Sequence, residues 1–388
     1  MNFFSVLSPP ELHNLERKTR PLDDKYVLSE VAFHRVISVE RKRTERSRKA
    51  FLLMLLDLDA FPTAQIQELI LPKLVSVLRS SIRETDSFGW YQSNTVLGVI
   101  FTDIDKKSAK LAVQTFLTRI SEMLRTELSA DHFQNIAFSF HIFPEDWEAG
   151  AARKSSNPTL YPDLTTRNQG RRAFRLIKRS IDIVGSLTVL LIFLPLLVLI
   201  AILIKLTAKG PILYSQERVG QYGKPFTFLK FRSMYVNSDP KVHECYVRGL
   251  IAGNASTQPT NGNGHGNGHG VYKLTADKRI TPLGKWLRRT SLDEFPQFWN
   301  VLRGEMSLVG PRPAIEYEVE AYELWHRRRL LEAKPGITGL WQVKGRSRVK
   351  FDEMVRLDLV YARRCSLWLD LKILLCTPWA VVMGEGAY

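Results

Sequence analysis

One long apolar run stands out from the alternation of hydrophobic and polar positions along the chain. Residues 183–206, IVGSLTVLLIFLPLLVLIAILIKL, carry no charged side chain before Lys205. A helix of this length, at about 1.5 Å per residue, can cross the roughly 30 Å hydrocarbon layer of a bilayer. Pro195 lies in the middle of the run, where it deletes one backbone donor. The run therefore predicts a membrane-embedded helix with a kink or break at Pro195.

Basic residues flank the apolar run on both sides, so the positive-inside rule finds no asymmetry to act on. The flanking residues are Arg171, Arg172, Arg175, Lys178 and Arg179 before it, and Lys205, Lys209, Arg218, Lys224, Lys230 and Arg232 after it. A re-entrant helical hairpin that enters and leaves by the cytoplasmic face satisfies both the charges and the proline. A kinked single crossing also satisfies the proline, and the sequence alone leaves the two open.

Residues 1–150 show the shorter periodicities of a domain with its own core. Apolar runs predict strands over residues 51–61, 93–104 and 134–146, and helical spacing predicts helices over residues 64–83 and 108–128. This βαβαβ order predicts a sheet with helices packed on it. The first residues lack a basic segment followed by an apolar core, so we expect no secretory signal and a cytoplasmic domain.

Two segments without hydrophobic periodicity predict a linker and an insertion. Residues 151–170 are rich in small and turn-forming residues and indicate a linker, whereas residues 253–270 are of low complexity and indicate a disordered insertion. The predicted fold class is α+β. Its parts are a βαβ-type sheet domain (1–150), the linker, a basic flank with a re-entrant membrane helix (171–208), and a mostly α-helical catalytic domain at the membrane surface (209–388).

The net charge limits the kinds of partner, and the cysteine content indicates the compartment. The formal net charge of +16 favours nucleic acid, an anionic membrane surface or a phosphorylated substrate. Nucleic acid is the weakest of the three, because no recognition motif is present and such binding leaves the apolar run unexplained. Three cysteines without metal-type spacing indicate a reducing compartment.

Candidate chemistry is concentrated after residue 210, where basic residues stand beside glycine or proline turns. They are Lys230, Arg232, Arg288, Arg312 and Arg346. The planar fork of arginine matches phosphate oxygens, and glycine lets backbone amides approach them closely. Such a set suits a pyrophosphate group.

The adjacent carboxylates Asp293 and Glu294 follow Arg288 in the segment RRTSLDEFPQ. One interpretation is structural, with Ser291 as a helix N-cap and Glu294 completing a capping box. The other is chemical, because one carboxylate can attack a phosphoryl group while its neighbour holds Mg²⁺. The nearby basic residues favour the chemical interpretation.

Residues 171–388 resemble the bacterial sugar transferase family, the monotopic phosphoglycosyl transferases that move a sugar phosphate from a UDP-sugar to undecaprenyl phosphate. The motifs that carry the resemblance are KRSIDIVGS, LYSQERVG, LKFRSM, RRTSLDEFPQ, LVGPRP, KPGITGLWQV with the GRS that follows, LDLKIL and GEGAY. The resemblance implies that Asp293 is the nucleophile that forms a covalent phospho-sugar enzyme. It also implies that Glu294 assists and, with Asp293, binds Mg²⁺.

Further residues follow from the same resemblance. Arg288 and Asp370 are implied as additional catalytic residues, and the implied substrate contacts are Lys230, Arg232, Gln297, Arg312 and Arg346. The implied partners are a UDP-sugar, undecaprenyl phosphate and membrane lipids, at the cytoplasmic face of the inner membrane, and a homodimer stays open. The product would initiate an exopolysaccharide, capsule or O-antigen type of glycan. The family breaks its membrane helix at a Ser-Pro dipeptide, where this chain has Leu194-Pro195.

The N-terminal part weakly resembles a diguanylate-cyclase-type domain through the segments LLDLDAF and FSFHIFPED. Where that family has a Gly-Gly-Asp-Glu-Phe turn, this chain has GWYQSNT at residues 89–95, so cyclase activity is not expected. A rival hypothesis for the whole chain is a membrane-anchored, nucleotide-binding receptor or scaffold without turnover.

Overall fold

The computed structural model describes residues 27–105, 109–145, 157–164, 170–207, 209–236, 241–252, 279–344 and 349–382. The N-terminal segment, the predicted insertion 253–270 and Arg346 lie outside these ranges. Contacts divide the chain into two units, Met1–Glu40 with Lys49–Phe143 and Arg41–Arg48 with Pro144–Tyr388.

The first unit is built on one four-stranded sheet. Its elements are α1 (Glu30–Ser47), β1 (Ala50–Asp57), short helical turns over Thr63–Gln65 and Ile66–Ile70, α2 (Leu71–Ser81), β2 (Ser87–Gln92), β3 (Val96–Ile104), α3 (Ala109–Glu127), α4 (Ala130–Gln134) and β4 (Ala137–Phe143). The strand order is β2-β3-β1-β4, and every neighbouring pair is antiparallel. With helices between β1 and β2 and between β3 and β4, this is the split-βαβ, ferredoxin-like arrangement.

The central strand explains the first apolar run of the sequence. Residues 50–56 of β1 are all buried, which is why the run shows no polar alternation. Leu52, Met54 and Leu56 belong to a core shared with α2 and α3. On α1, Phe33 is fully buried and packs so closely against β3 that a side chain at Gly98 would clash with its ring.

The sequence-based prediction of three strands missed β2. This strand is only six residues long and contains Gly89, a residue that normally weakens a strand. The glycine is required here because the backbone of Leu28 pairs beside it, and an added Cβ would lie 2.6 Å from the Leu28 Cβ. A close backbone approach of this kind is not visible in hydrophobic periodicity.

The second unit is mostly helical. Its elements are a 3₁₀ turn (Pro158–Leu160), α5 (Arg172–Thr207), β5 (Leu213–Val219), a 3₁₀ turn (Gln221–Gly223), β6 (Pro225–Phe231), α6 (Lys241–Ile251), α7 (Pro282–Arg289), a 3₁₀ turn (Leu292–Glu294), α8 (Gln297–Arg303), β7 (Ser307–Val309), α9 (Glu316–Glu320), α10 (Leu324–Glu332), β8 (Gly336–Thr338), α11 (Leu340–Lys344), α12 (Phe351–Arg364) and α13 (Leu367–Val382). β5 pairs with β6 in an antiparallel ladder, and β7 pairs with β8 in a parallel one.

The last turns of α1 belong to this second unit by their contacts. Arg41 forms an ion pair with Asp163, inside the predicted linker, and stacks over the ring of Tyr161 at 4.5 Å. Glu45 lies 3.8 Å from Arg328 of α10. A division at residue 150 therefore separates Arg41 and Glu45 from the side chains that they contact.

The apolar run forms the helix α5, which is 36 residues long and contains Pro195. Among the described helices it is the one long and apolar enough to cross a membrane. The helix is continuous through Pro195, so the predicted division into a two-helix hairpin is not observed. A proline removes one N–H from the ladder, and the remaining i to i−4 bonds are sufficient to continue the helix.

Both ends of α5 are held by the second unit. Near the start, Arg179 donates to the carbonyls of Val301 and Leu302 at 2.6 and 2.7 Å, which satisfies the C-terminal end of α8. Near the other end, Ile200 and Ile204 are buried in a cluster that includes residues of β6 and α7. The two halves of the helix thus pack against the same structural unit.

Asp182 is a buried acid that joins α5 to β7. Its buried carboxylate accepts from Ser307 Oγ at 3.0 Å and from the Leu308 backbone N–H at 2.9 Å. We expect Asp182→Ala to lower the free energy of unfolding by about 2 kcal/mol, because two buried donors lose their acceptor. Thermal unfolding of the full chain in detergent measures the effect. Glu353→Ala removes an exposed carboxylate of the same unit and is expected to change little; equal effects of the two substitutions would contradict this account.

Candidate active site

The carboxylate pair lies in a tight turn between α7 and α8. Ser291 has φ +57°, in the left-handed region that non-glycine residues rarely adopt, and makes no side-chain capping bond. The capping box that would have given Glu294 a structural role is therefore not formed. Asp293 is buried, with 7% of its surface exposed, and Glu294 is partly buried.

The helix α7 is fixed next to this turn by a close contact with the segment that follows β6. Thr281 caps the helix by accepting from the Gly284 N–H at 2.9 Å. An added Cβ at Gly284 would lie 2.0 Å from the Ser233 carbonyl oxygen, so only glycine permits the approach. From the last turn of α7, Arg288 donates through Nε to Ser233 Oγ at 3.1 Å. The guanidinium of Arg288 is thereby oriented by the chain that carries Lys230.

Lys230 lies near the end of β6 and interacts electrostatically with both carboxylates and with neighbouring arginines. Burial lowers the pKa of Lys230 to about 8; the negative charges of Asp293 and Glu294 oppose this shift, and the positive charges of Arg288 and Arg218 add to it. Its Nζ also lies 4.8 Å from the centre of the Tyr214 ring. Two carboxylates and three cations thus share one partly dehydrated region.

A second set of contacts fixes the backbone of the GPRP segment. Arg218 Nη1 donates to the Pro313 carbonyl at 2.6 Å, and Arg329 Nη2 donates to the Arg312 carbonyl at 2.9 Å. Both donors are buried, and Asp358 Oδ2 lies 2.8 Å from Arg329 Nη2. The two consecutive carbonyls are therefore held by separate arginines, which sets the position from which the Arg312 side chain extends.

Arg218 connects these two parts of the site. Its charge acts on Lys230, and together with Arg312 it also acts on Tyr317, whose pKa is raised by burial and by Glu318. From the sequence, Arg218 was predicted only as one of the basic residues that flank the apolar run. Arg329 was missed because it lies in the charged segment HRRR, which is typical of an exposed helix face. Burial, which the sequence does not display, distinguishes both residues.

Other predicted site residues have different surroundings. Arg232 is buried and donates to the Lys209 carbonyl at 3.1 Å, next to Gly210 at φ +121°, so its described bond stabilises the exit from α5. Gln297 is buried at the first position of α8. Asp370 is bonded to Lys178 at 2.5 Å and to Tyr361 at 2.7 Å. The described bonds of Asp370 therefore lie at the base of α5 and not in the group around Asp293.

The described residues contain no group of three or more histidine, cysteine or acidic side chains arranged to hold a metal. Asp293 and Glu294 nevertheless supply two carboxylates on one turn. Mg²⁺ is commonly bound through one or two carboxylates together with substrate phosphates and water. The donor set fits an ion shared with a phosphorylated substrate.

Large apolar side chains are exposed on several elements of the second unit. On α13, Trp368 and Trp379 are 75% and 66% exposed, and Leu371 and Leu375 are exposed between them at helical spacing. The exposed face of α5 is apolar throughout its central turns. Exposed apolar surface of this extent is typical of membrane contact.

Comparison with known proteins identifies relatives of the second unit. A family model described as "Bacterial sugar transferase" matches residues 173–384. The "UDP-galactose-lipid carrier transferase" of Erwinia amylovora is 42% identical over 58% of this chain and 44% of its own length. The "Undecaprenyl-phosphate galactose phosphotransferase" of Salmonella typhimurium is 42% identical over 57% of this chain and 44% of its own. This chain thus spans less than half the length of these two relatives.

A shorter relative is matched almost completely. The "Exopolysaccharide production protein ExoY" of Rhizobium meliloti is 37% identical over 61% of this chain and 99% of its own length. Among solved structures, a "DGC protein" from Thermotoga maritima covers 32% of this chain and 87% of its own at 17% identity and a TM-score of 0.26. A likeness of that size carries no information about activity.

Proposed function

The chain belongs to the bacterial sugar transferase family, and we propose that it transfers a sugar-1-phosphate from a UDP-sugar to undecaprenyl phosphate. The observation that carries the proposal is the electrostatic grouping of the buried Asp293 with Lys230, Arg288 and Glu294, which are partly buried. The names of relatives that are 42% identical over more than half of this chain support the same reaction class. The product would initiate assembly of an exopolysaccharide, capsule or O-antigen.

The first step forms a covalent intermediate. A carboxylate oxygen of Asp293 attacks the β-phosphorus of the UDP-sugar, and a new P–O bond forms as the bond from that phosphorus to the bridging oxygen breaks. The bridging oxygen leaves with its electron pair as part of UMP. The sugar phosphate stays on Asp293 as an acyl phosphate.

The second step releases the product. A phosphate oxygen of undecaprenyl phosphate attacks the phosphorus of the acyl phosphate, and the bond to Asp293 breaks. The carboxylate is regenerated, and the lipid now carries a diphosphate with the sugar attached. Because one product leaves before the second substrate reacts, ping-pong kinetics follow.

The basic residues are assigned to the phosphate oxygens. Lys230 and Arg288 would offset the negative charge of the β-phosphate, while Arg312 extends from a backbone fixed by Arg218 and Arg329. Glu294 with Asp293 would hold Mg²⁺, which when bound supplies charge neutralisation of the phosphates as a Lewis acid.

The membrane proposal is a monotopic arrangement at the cytoplasmic face of the inner membrane. Because both ends of α5 pack on one structural unit, they are expected to lie on the same side of the bilayer. Near the middle of α5, the Phe193 ring is 5.1 Å from the ring of Phe295, the residue that follows Glu294. This contact supports a position for the carboxylate pair near the lipid headgroups, where both a soluble and a lipid-bound substrate can reach it.

A direct assay tests the reaction. Purified full-length protein is incubated with undecaprenyl phosphate and each member of a panel of UDP-hexoses, and both UMP release and lipid-linked product are measured. We expect one donor to give both products in equal amounts. If no donor gives UMP, the alternative of a nucleotide-binding receptor without turnover is favoured.

The depth of α13 gives a separate prediction about the membrane. With the protein in vesicles that contain brominated lipid, replacing Trp368 or Trp379 by phenylalanine is expected to reduce the quenchable fraction of tryptophan fluorescence, because both rings are exposed on one face of α13. Trp90→Phe is the matched control, since Trp90 is buried in the first unit with 8% exposure. An unchanged quenchable fraction after loss of both exposed rings would contradict interfacial binding of α13.

A further inference from the structure

A second basic site lies at the N-terminal end of α5, apart from the carboxylate pair. It is a cavity of about 170 Å³ between the first turns of α5, the segment that follows α10 and the end of α12. Five cations line it, namely Arg171, Arg175, Lys178, Arg179 and Lys334, against the two acids Asp182 and Glu332. The proposed transfer reaction makes no use of this cavity.

The existing bonds leave the cavity with excess positive charge. Lys178 is neutralised by Asp370, and Glu332 is neutralised by Arg328. Arg171 and Arg179 donate only to backbone carbonyls in their described bonds, which satisfies hydrogen bonding without cancelling charge. Four cations remain against the single acid Asp182, namely Arg171, Arg175, Arg179 and Lys334.

Two of the cations are available for a ligand. Within the described residues, the side chains of Arg175 and Lys334 form no hydrogen bond and no ion pair within 4 Å. Burial lowers the pKa of Lys334, and the charges of Arg179 and Lys178 lower it further while Asp182 opposes them. A partly buried lysine among like charges is stabilised by an added anion.

The setting of the cavity indicates the kind of anion. Residues 171, 175, 178 and 182 recur at helical spacing and face the cavity, whereas Leu176 and Ile177 are exposed on other sides of the same turns. The helix then continues into its apolar run. A basic face beside exposed apolar residues at the start of a membrane helix is suited to the headgroup region of anionic lipids.

The cavity wall supports an amphiphilic ligand. Its apolar lining residues are Leu164, Phe174, Val309, Leu331, Ala333 and Ala362. We propose that this cavity binds an anionic phospholipid, with the phosphate on Arg175 and Lys334 and the glycerol and first methylene groups against the apolar wall. The bound lipid fixes the start of α5 to the rest of the second unit.

Ligand-dependent thermal stability tests this proposal. The full chain in an uncharged detergent is heated with phosphatidylglycerol, with phosphatidylcholine or with inorganic phosphate at the same molar concentration. Phosphatidylglycerol at saturation is expected to raise Tm by roughly 5 °C, as a ligand specific to the folded state does. Phosphatidylcholine and inorganic phosphate are expected to give little change. An equal rise with inorganic phosphate would overturn the assignment of a lipid ligand.

Two matched double variants separate the cavity from general charge effects. Arg175→Gln with Lys334→Gln is expected to remove most of the Tm rise, whereas Arg172→Gln with Lys372→Gln removes two exposed cations outside the cavity and should keep it. Without lipid, the cavity variant should be no less stable than the control variant, because it relieves repulsion. Equal loss of the lipid effect in both variants, or a lower lipid-free Tm in the cavity variant alone, would overturn the proposal.

Discussion

Asp293→Asn is expected to reduce transfer of sugar phosphate to lipid by about 10⁴-fold or more, the scale of loss when a covalent nucleophile is removed. The amide keeps the size of the side chain but cannot displace UMP from the β-phosphorus. UMP release and formation of lipid-linked product should fall together. In wild-type protein without acceptor lipid, mass spectrometry should detect one added sugar phosphate per chain, and the variant should show none.

The control for this experiment is a carboxylate in the same unit but away from the turn. Glu353→Gln changes an exposed residue of α12 and should leave the rate unchanged. Glu294→Gln is expected to lower the rate without abolishing the covalent adduct, because Glu294 is assigned to assistance and metal binding. A full rate in Asp293→Asn, or an adduct that disappears only in Glu294→Gln, would refute the assignment of the nucleophile.

Replacing Lys230 by methionine should reduce kcat/KM for the UDP-sugar by about 10²- to 10³-fold, the range found when one preorganised donor to a developing charge is removed. Methionine has a similar length and an apolar side chain, and it removes the cation that lies over the Tyr214 ring. Lys224→Met is the matched control, because Lys224 is exposed beside the same β5–β6 hairpin. A loss of the same size in both variants would indicate a general charge effect and not a specific role for Lys230.

The pH dependence gives an independent test of the same residue. The pKa of Lys230 is lowered to about 8, so its protonated fraction falls as pH rises through that value. Since the cation is the form that binds phosphate, kcat/KM for UMP release should decline above about pH 8. Lys230→Arg keeps its charge across this range, and its rate, even if lower, should lack that decline. A wild-type profile that stays flat to pH 9.5 would contradict the role.

Much of the architecture followed from hydrophobic patterning alone. The buried strand β1, the helices on the sheet and the long apolar helix were all predicted, because their burial or length produces a periodic signal. The signal failed where a single contact decides the structure. Gly89 allows β2 to pass beside Leu28, and the ladder of α5 continues through Pro195, yet neither outcome has a pattern in the sequence.

The candidate site was predictable to a similar degree. The residues Lys230, Arg288, Asp293 and Glu294 were grouped from their chemistry and motifs, and their charges act on one another in the structure. Arg218 and Arg329 were not predicted as site residues, because the sequence does not distinguish an arginine that donates to a backbone carbonyl from one on the surface. Lys178 pairs with Asp370, which is 192 positions away in the sequence. A pattern of neighbouring residues cannot predict a contact between positions so far apart.

The last turns of α1 carry a consequence for how this protein can be divided. Arg41 and Glu45 precede the whole N-terminal sheet in the chain, yet they contact Asp163 and Arg328 of the C-terminal half. A gene fusion or a natural recombination event that keeps only the C-terminal half would discard these two side chains. Asp163 would then lose its ion pair with Arg41, whereas Arg328 would keep its ion pair with Glu332 at 2.8 Å.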